Sequence, residues 1–177
     1  MIVEYGFDGL SMQKLAKAAK ISPSTIYVYF KNREDLLNQL YSEVEQSFEE
    51  KALKGFDPAM RFEDGLWIQW INRYKHIQQN PMEFYFSEQF RNSPLIKRNI
   101  SGQTTFREAM NQFVANAIKN HEITALPTEI FWAIAYGAFY ILVKFHLDHS
   151  TMSGATFNLN ESKLRQTFEA VIKSLKK

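Results

Sequence analysis

The sequence predicts an all-α chain, on three observations. Apolar residues recur at helical spacing in every segment long enough to show a period. Capping residues (Ser11, Ser22, Asn32, Asn80 and Asn160) stand just ahead of these segments, and Pro23, Pro81 and Pro127 fall where a helix opens. No alternating strand pattern competes. The architecture expected is a helix-turn-helix unit over residues 1–47, joined by a connecting helix to a larger helical domain over residues 48–177.

The N-terminal elements are short and closely capped. Ser11 caps a helix whose Met12, Leu15, Ala16 and Ala19 share one face, with Gln13, Lys14, Lys17 and Lys20 opposite. Ile21 enters a turn. Ser22 caps the next helix, and Pro23 costs nothing at its first turn because its missing N–H would have had no partner there. Ile26 and Phe30 share the buried face of that helix, with Tyr29 at its edge. Ser24, Thr25, Tyr27 and Val28 are left facing outward. Asn32 caps a third helix, with Asp35 at the capping-box position and Glu34 favouring the positive N-terminal end.

Charge is informative locally. The chain as a whole carries only +2, yet Ser11 to Arg33 holds five basic residues (Lys14, Lys17, Lys20, Lys31, Arg33) and no acidic one. Such a patch neutralises phosphates and releases counterions. Hydroxyl-bearing side chains on the outward face suit phosphate contacts, and Val28 suits apolar contact with a thymine methyl. Charge alone describes a solvated lysine face equally well; the caps, spacing and outward hydroxyls together favour a helix laid in the DNA major groove.

The remaining helices follow in order. The connecting helix runs from Arg33 to about Lys51, with Leu36, Leu37, Leu40, Tyr41, Val44 and Phe48 on its apolar face. A break at Gly55 to Pro58 precedes a helix carrying Phe62, Leu66, Trp70, Tyr74 and Ile77. Asn80-Pro81 caps a short aromatic helix that ends at Asn92-Ser93-Pro94. Phe106, Met110, Phe113, Val114 and Ala117 mark the next, closing near Asn120. Pro127 opens a long apolar helix to about Leu147. A polar loop covers Asp148 to Asn160, and Asn160 caps a last helix with Leu164, Phe168, Val171, Ile172 and Leu175.

The segment Gly6 to Leu37 resembles the DNA-binding part of TetR-family (tetracycline-repressor-like) transcriptional regulators. The resemblance rests on Gly6-Phe7, Ser11, Leu15-Ala16, Ser24 to Tyr27, Tyr29-Phe30 and Asn32 to Leu37. It implies phosphate or base contacts by Ser11, Gln13, Ser24, Thr25, Tyr27, Tyr29 and Arg33. Ser22, Val28 and Lys31 join these on their own chemistry. Arg33 stands where many members have lysine, and its planar fork holds a phosphate at least as well. The family has a full first helix ahead of the matching glycine, whereas only Met1 to Tyr5 precede Gly6 here. The expectation is that the sequence starts late, through trimming or a misassigned start codon.

Two features of the second domain bear on function. The helix after Pro127 is apolar nearly all round and needs cover on every side. Ala133, Gly137 and Ala138 are small enough to admit a second helix closely, so a homodimer is expected. The resemblance adds that the last two helices of each subunit form a four-helix bundle, which brings in Phe168 and Ile172. A central core helix in a monomer is the competing reading. Second, fourteen large aromatic residues between Trp67 and Tyr140 crowd this domain. They make either plain core or a largely apolar effector cavity lined by Trp70, Tyr74, Phe90, Phe113, Tyr136 and Tyr140, with Gln89, His76 or Arg107 supplying polarity. The resemblance implies that a small apolar or aromatic effector binds there, shifts the DNA-reading heads and releases a palindromic operator.

Other classes find little support. There is no phosphate loop, nucleophile elbow or His-Glu-x-x-His, so neither an enzyme nor a cofactor is expected. His146, Asp148 and His149 have loosely metal-like spacing, but a solvated helix C-terminus explains them better and no metal is expected. Zero cysteines exclude disulfides and suit a cytoplasmic protein. The apolar run Ile130 to Val143 is too short to span a bilayer, so no membrane partner is expected. The leading function is a ligand-responsive DNA-binding repressor. The alternative is a helical small-molecule-binding dimer with impaired or lost DNA binding.

Overall fold

A computed structural model describes residues 1–95 and 105–176 of the chain. The described residues form nine helices: α1 (Ile2–Tyr5), α2 (Met12–Ala19), α3 (Pro23–Tyr29), α4 (Arg33–Ala52), α5 (Phe62–Gln79), α6 (Pro81–Arg91), α7 (Thr105–Lys119), α8 (Thr128–Leu147) and α9 (Glu161–Leu175). The only β pairing among them is an isolated bridge between Ser150 and Thr156, inside the α8–α9 loop. The described residues divide into two compact units: residues 1–50 with 76–95, and residues 51–75 with 105–176. The unit that carries the helix-turn-helix therefore also includes α6.

Helix starts follow the capping chemistry with one exception. Ser11 Oγ accepts from Lys14 N–H, Ser22 Oγ from Thr25 N–H, and Asn160 Oδ1 from Lys163 N–H. Asn80 does not cap α6. It sits at φ −131°, ψ 56°, and its amide turns back to donate to the His76 carbonyl at 3.2 Å. α6 follows α5 after this single residue, which leaves the Asn80 amide within reach of the last turn of α5. Ala19 also departs from its expected face: it is exposed at the last position of α2, while Met12 and Ala16 are buried.

In the first unit, Leu10, Met12, Ala16, Ile26, Leu36 and Leu37 form the core beneath the helix-turn-helix. The second unit is built on an aromatic core. Trp70 lies 5.3 Å from both Phe139 and Phe168, and its indole N–H donates to the Ala135 carbonyl at 3.0 Å. Phe62 stacks on Phe113 at 5.4 Å, with Phe56 edge-on to Phe113 at 4.9 Å. Gly65 on α5 makes room for this cluster: a Cβ there would lie 2.6 Å from the Phe113 ring.

At 20 residues, α8 is longer than its apolar run and is long and apolar enough to cross a membrane by length and composition. It buries Phe131, Ala135, Tyr136, Phe139 and Val143 in its own unit and packs along α9. Its other side, bearing Ile130, Ala133 and Ile141, is exposed.

Candidate nucleic-acid interface

The head is shaped by three caps acting in sequence. Ser11 holds the start of α2. A turn at Lys20 and Ile21 follows, and Ser22 holds the start of α3. Lys20 adopts the left-handed conformation at φ 57°, ψ 38°, its N–H closing back on the Ala16 and Lys17 carbonyls. After α3, Asp35 N–H donates to Asn32 Oδ1 at 2.8 Å, and Asp35 Oδ2 accepts from Lys31 N–H at 2.9 Å. This is a capping box closed one residue earlier than usual, on Lys31 in place of Asn32.

These turns leave α3 attached by a single deeply buried residue, Ile26. Its outer surface is unusual. Tyr27, Val28 and Tyr29 are 54%, 77% and 71% exposed in succession. Ser24 and Thr25 are exposed beside them, each hydroxyl within 2.8 Å of Ser22 Oγ. Gln13, Lys14, Lys17, Lys20 and Lys31 are exposed, while Ser11 and Arg33 are half-buried. Lys14 Nζ donates to the Gly9 carbonyl at 3.2 Å. All ten residues expected to meet DNA therefore lie on or beside α2, α3 and the start of α4, and none is fully buried.

The same unit ties this head to α6, which sequence reading missed. Phe90 packs edge-on against Phe7 at 5.8 Å and tilted against Tyr41 of α4 at 5.1 Å. Glu45 of α4 accepts from Ser87 Oγ at 2.6 Å and pairs with Arg91 at 3.2 Å. Burial, then the nearby Glu45 carboxylate, raise the Tyr41 pKa. Asn38 Nδ2 donates to the Leu95 carbonyl. Only the aromatic period of α6 hinted at such a role, and it did not name the partner.

The expected effector residues divide between the units. Phe90, Gln89 and His76 belong to the unit with the head. Trp70, Tyr74, Phe113, Tyr136, Tyr140 and Arg107 belong to the other. There the polar tips are engaged inside the protein. Tyr136 Oη donates to buried Gln69 at 2.6 Å, Tyr74 Oη to the Leu159 carbonyl at 2.9 Å, and Arg73 donates to Tyr140 Oη at 2.9 Å. The Arg73 guanidinium lies over the Phe106 and Tyr136 rings. Burial pushes the Tyr136 phenol far above its ordinary range, so it stays a neutral donor. A surface groove of about 440 Å³ opens elsewhere in this unit, lined by Arg61, Phe62, Glu63, Asn120, His121, Glu122 and Lys176. No sequence motif pointed to it, because three distant stretches of chain build it.

The expected dimer residues also divide. Ala133 is exposed and Gly137 half-buried on α8, whereas Phe168 and Ile172 are buried within the chain's own core. No group of three metal-ligating side chains occurs among the described residues.

Comparison with known proteins agrees with the geometry of the head. Residues 1–40 match the family described as bacterial regulatory proteins, tetR family. The chain is 34% identical over 97 residues to an uncharacterised helix-turn-helix-type transcriptional regulator of Haemophilus influenzae, covering 55% of this chain and 52% of that protein. It thus spans about half the length of that curated relative, and less of the others. The structure resembles a TetR-family transcriptional regulator from Haemophilus influenzae with a TM-score of 0.79 at 26% identity, covering 99% of this chain and 90% of the other. A TetR-family regulator from Marinobacter aquaeolei gives a TM-score of 0.85 at 22% identity, covering 98% and 88%. These relatives are named as regulators and not as enzymes.

Proposed function

We propose, from the match of residues 1–40 to the family described as bacterial regulatory proteins, tetR family, and from the similarity to helix-turn-helix regulators, that the chain is a regulator of this family and a dimeric repressor whose α3 reads duplex DNA. Residues 1–47 bind DNA in this reading, and residues 48–177 bind an effector and dimerise. The observation that carries it is the run Tyr27, Val28 and Tyr29, exposed in succession on a short helix flanked by hydroxyls and cations. Large apolar side chains displayed together on a capped helix call for a partner. The absence of acidic residues from Ser11 to Arg33 makes that partner a polyanion. Tyrosine hydroxyls and Arg33 hold phosphates, which sets register, while Val28 and Ser24 meet base edges.

The dimer is supported by the uncovered side of α8. Ile130 and Ile141 are 48% and 49% exposed, with Ala133 and Gly137 between them. A two-fold axis through this face would give two recognition helices for one palindrome.

The effector is an apolar or aromatic molecule received among Trp70, Tyr74, Phe113, Tyr136 and Tyr140. Its entry displaces the hydrogen bonds that Tyr136 and Tyr140 make to Gln69 and Arg73, so it favours a different arrangement of α5 and α8. Phe90 serves differently in this reading. Its contacts with Phe7 and Tyr41, together with the Glu45–Ser87–Arg91 link, carry a movement of α6 to the head.

Fluorescence anisotropy with labelled duplex DNA across a salt series tests the reading. Five cations per head allow a dimer to neutralise at most about ten phosphates, so the slope of log K against log salt is negative and no steeper than about −9. Binding that is absent or independent of salt would overturn it.

A further inference from the structure

We propose that Lys20, in the turn between α2 and α3, is a DNA-backbone anchor kept at a cost to the stability of the head. The proposal rests on the DNA-binding reading above and gives one of its five cations a specific role. Lys20 occupies the left-handed region at φ 57°, ψ 38°, where a Cβ is penalised and glycine is favoured. The position is the C-terminal cap of α2, the commonest place for glycine in a helix end. Asparagine would also tolerate it. A long cation stands there instead.

Nothing in the fold explains that choice beyond a favourable charge at a helix C-terminus. Lys20 is exposed. Among the described residues its ammonium group has no hydrogen bond or ion pair, in contrast to Lys14, whose Nζ is held by the Gly9 carbonyl. It follows exposed Gln13 and Lys17 at helical spacing, so the three line one exposed edge of α2, beside the face that buries Met12 and Ala16. It stands two residues before Ser22, whose hydroxyl gathers those of Ser24 and Thr25. A flexible ammonium there can reach a phosphate flanking the groove that α3 enters, as a point charge without sequence preference. Strained residues cluster where function over-determines them.

The test compares Lys20→Gly, Lys20→Asn and Lys20→Arg in the full chain, using a fixed-length pool of random-sequence duplex as the probe. Lys20→Gly is expected to raise the thermal midpoint by about 2–4 °C while weakening binding severalfold. It should also flatten the salt slope by about 0.9 per head. Lys20→Asn should flatten the slope equally, and Lys20→Arg should keep the wild-type slope. Lys173→Gln on exposed α9 surface controls for charge lost elsewhere and should leave the slope unchanged. Wild-type slope in Lys20→Gly and Lys20→Asn, with wild-type binding intact, overturns the anchor alone. No salt-dependent binding by the wild type overturns the anchor together with the DNA-binding reading.

Discussion

Replacing Gly137 on α8 separates the stability of the chain from the stability of its dimer. Glycine in a helix interior is destabilising by roughly 0.5–1 kcal/mol relative to alanine. Within the chain nothing requires it, because a Cβ built on Gly137 meets no atom within 4 Å and its backbone is ordinary helix. Gly137→Ala should therefore leave the fold intact and, if the chain were a monomer, raise its thermal midpoint by up to about 4 °C. If the face closes against a second copy, a larger side chain is a different matter. Gly137→Leu forces overpacking of about 1–3 kcal/mol at each symmetry-related site. Two-fold symmetry doubles that to about 2–6 kcal/mol per dimer, which weakens association by roughly 30- to 20,000-fold. Analytical ultracentrifugation over a concentration series reads the association constant, and circular dichroism reads whether the helices survive. A Gly137→Leu protein that is folded and dimerises as tightly as wild type would refute the assignment of this face.

Further expectations follow from the same geometry. Gly65→Ala should lower the thermal midpoint despite its better helix propensity, because the new Cβ lies 2.6 Å from the Phe113 ring inside a stacked aromatic cluster; a rise in midpoint would mean the cluster yields freely. Tyr27→Ala and Arg33→Ala should weaken binding to all duplexes alike, whereas Val28→Ala should change the preferred sequence; equal loss across sequences for Val28→Ala would remove it from base reading. Burial, followed by repulsion from His149, lowers the His146 pKa from 6.5, so the folded state resists its protonation. Stability from this group is therefore present above about pH 6.5 and is lost as pH falls below it. Proton NMR titration should give a His146 midpoint below 6.5, and His146→Gln should reduce the acid-side slope of stability; a midpoint at or above 6.5 would contradict the assigned burial.

Helix positions were legible because they depend on local chemistry. Ser11, Ser22 and Asn160 announce their helices through one hydroxyl or amide reaching three residues ahead. The structure closes each bond as the spacing requires. Asn80 looked the same in sequence but follows α5 directly, and its amide found the His76 carbonyl first. Faces were less legible than positions. The apolar pattern of α8 runs all round, so it could not say that Phe131, Ala135, Tyr136, Phe139 and Val143 turn inward while Ile130, Ala133 and Ile141 do not. Nor does the period of α9 distinguish a core face from an interface, and Phe168 is taken up by Trp67 and Trp70 of its own chain. Of the aromatic residues expected around one cavity, Trp70, Tyr74, Phe113, Tyr136 and Tyr140 fall in one unit. Phe90 joins the unit with the head, a grouping that depends on residues far apart in sequence.

The DNA-binding reading stands or falls most directly on selection of bound duplexes from a random pool by the full chain. The account predicts enrichment of a palindrome with half-sites about one helical turn apart, as two copies of α3 displaying Tyr27 and Val28 would require. Recovery of sequences no different from the starting pool would contradict it, and the exposed surface of α3 would then need a partner other than DNA.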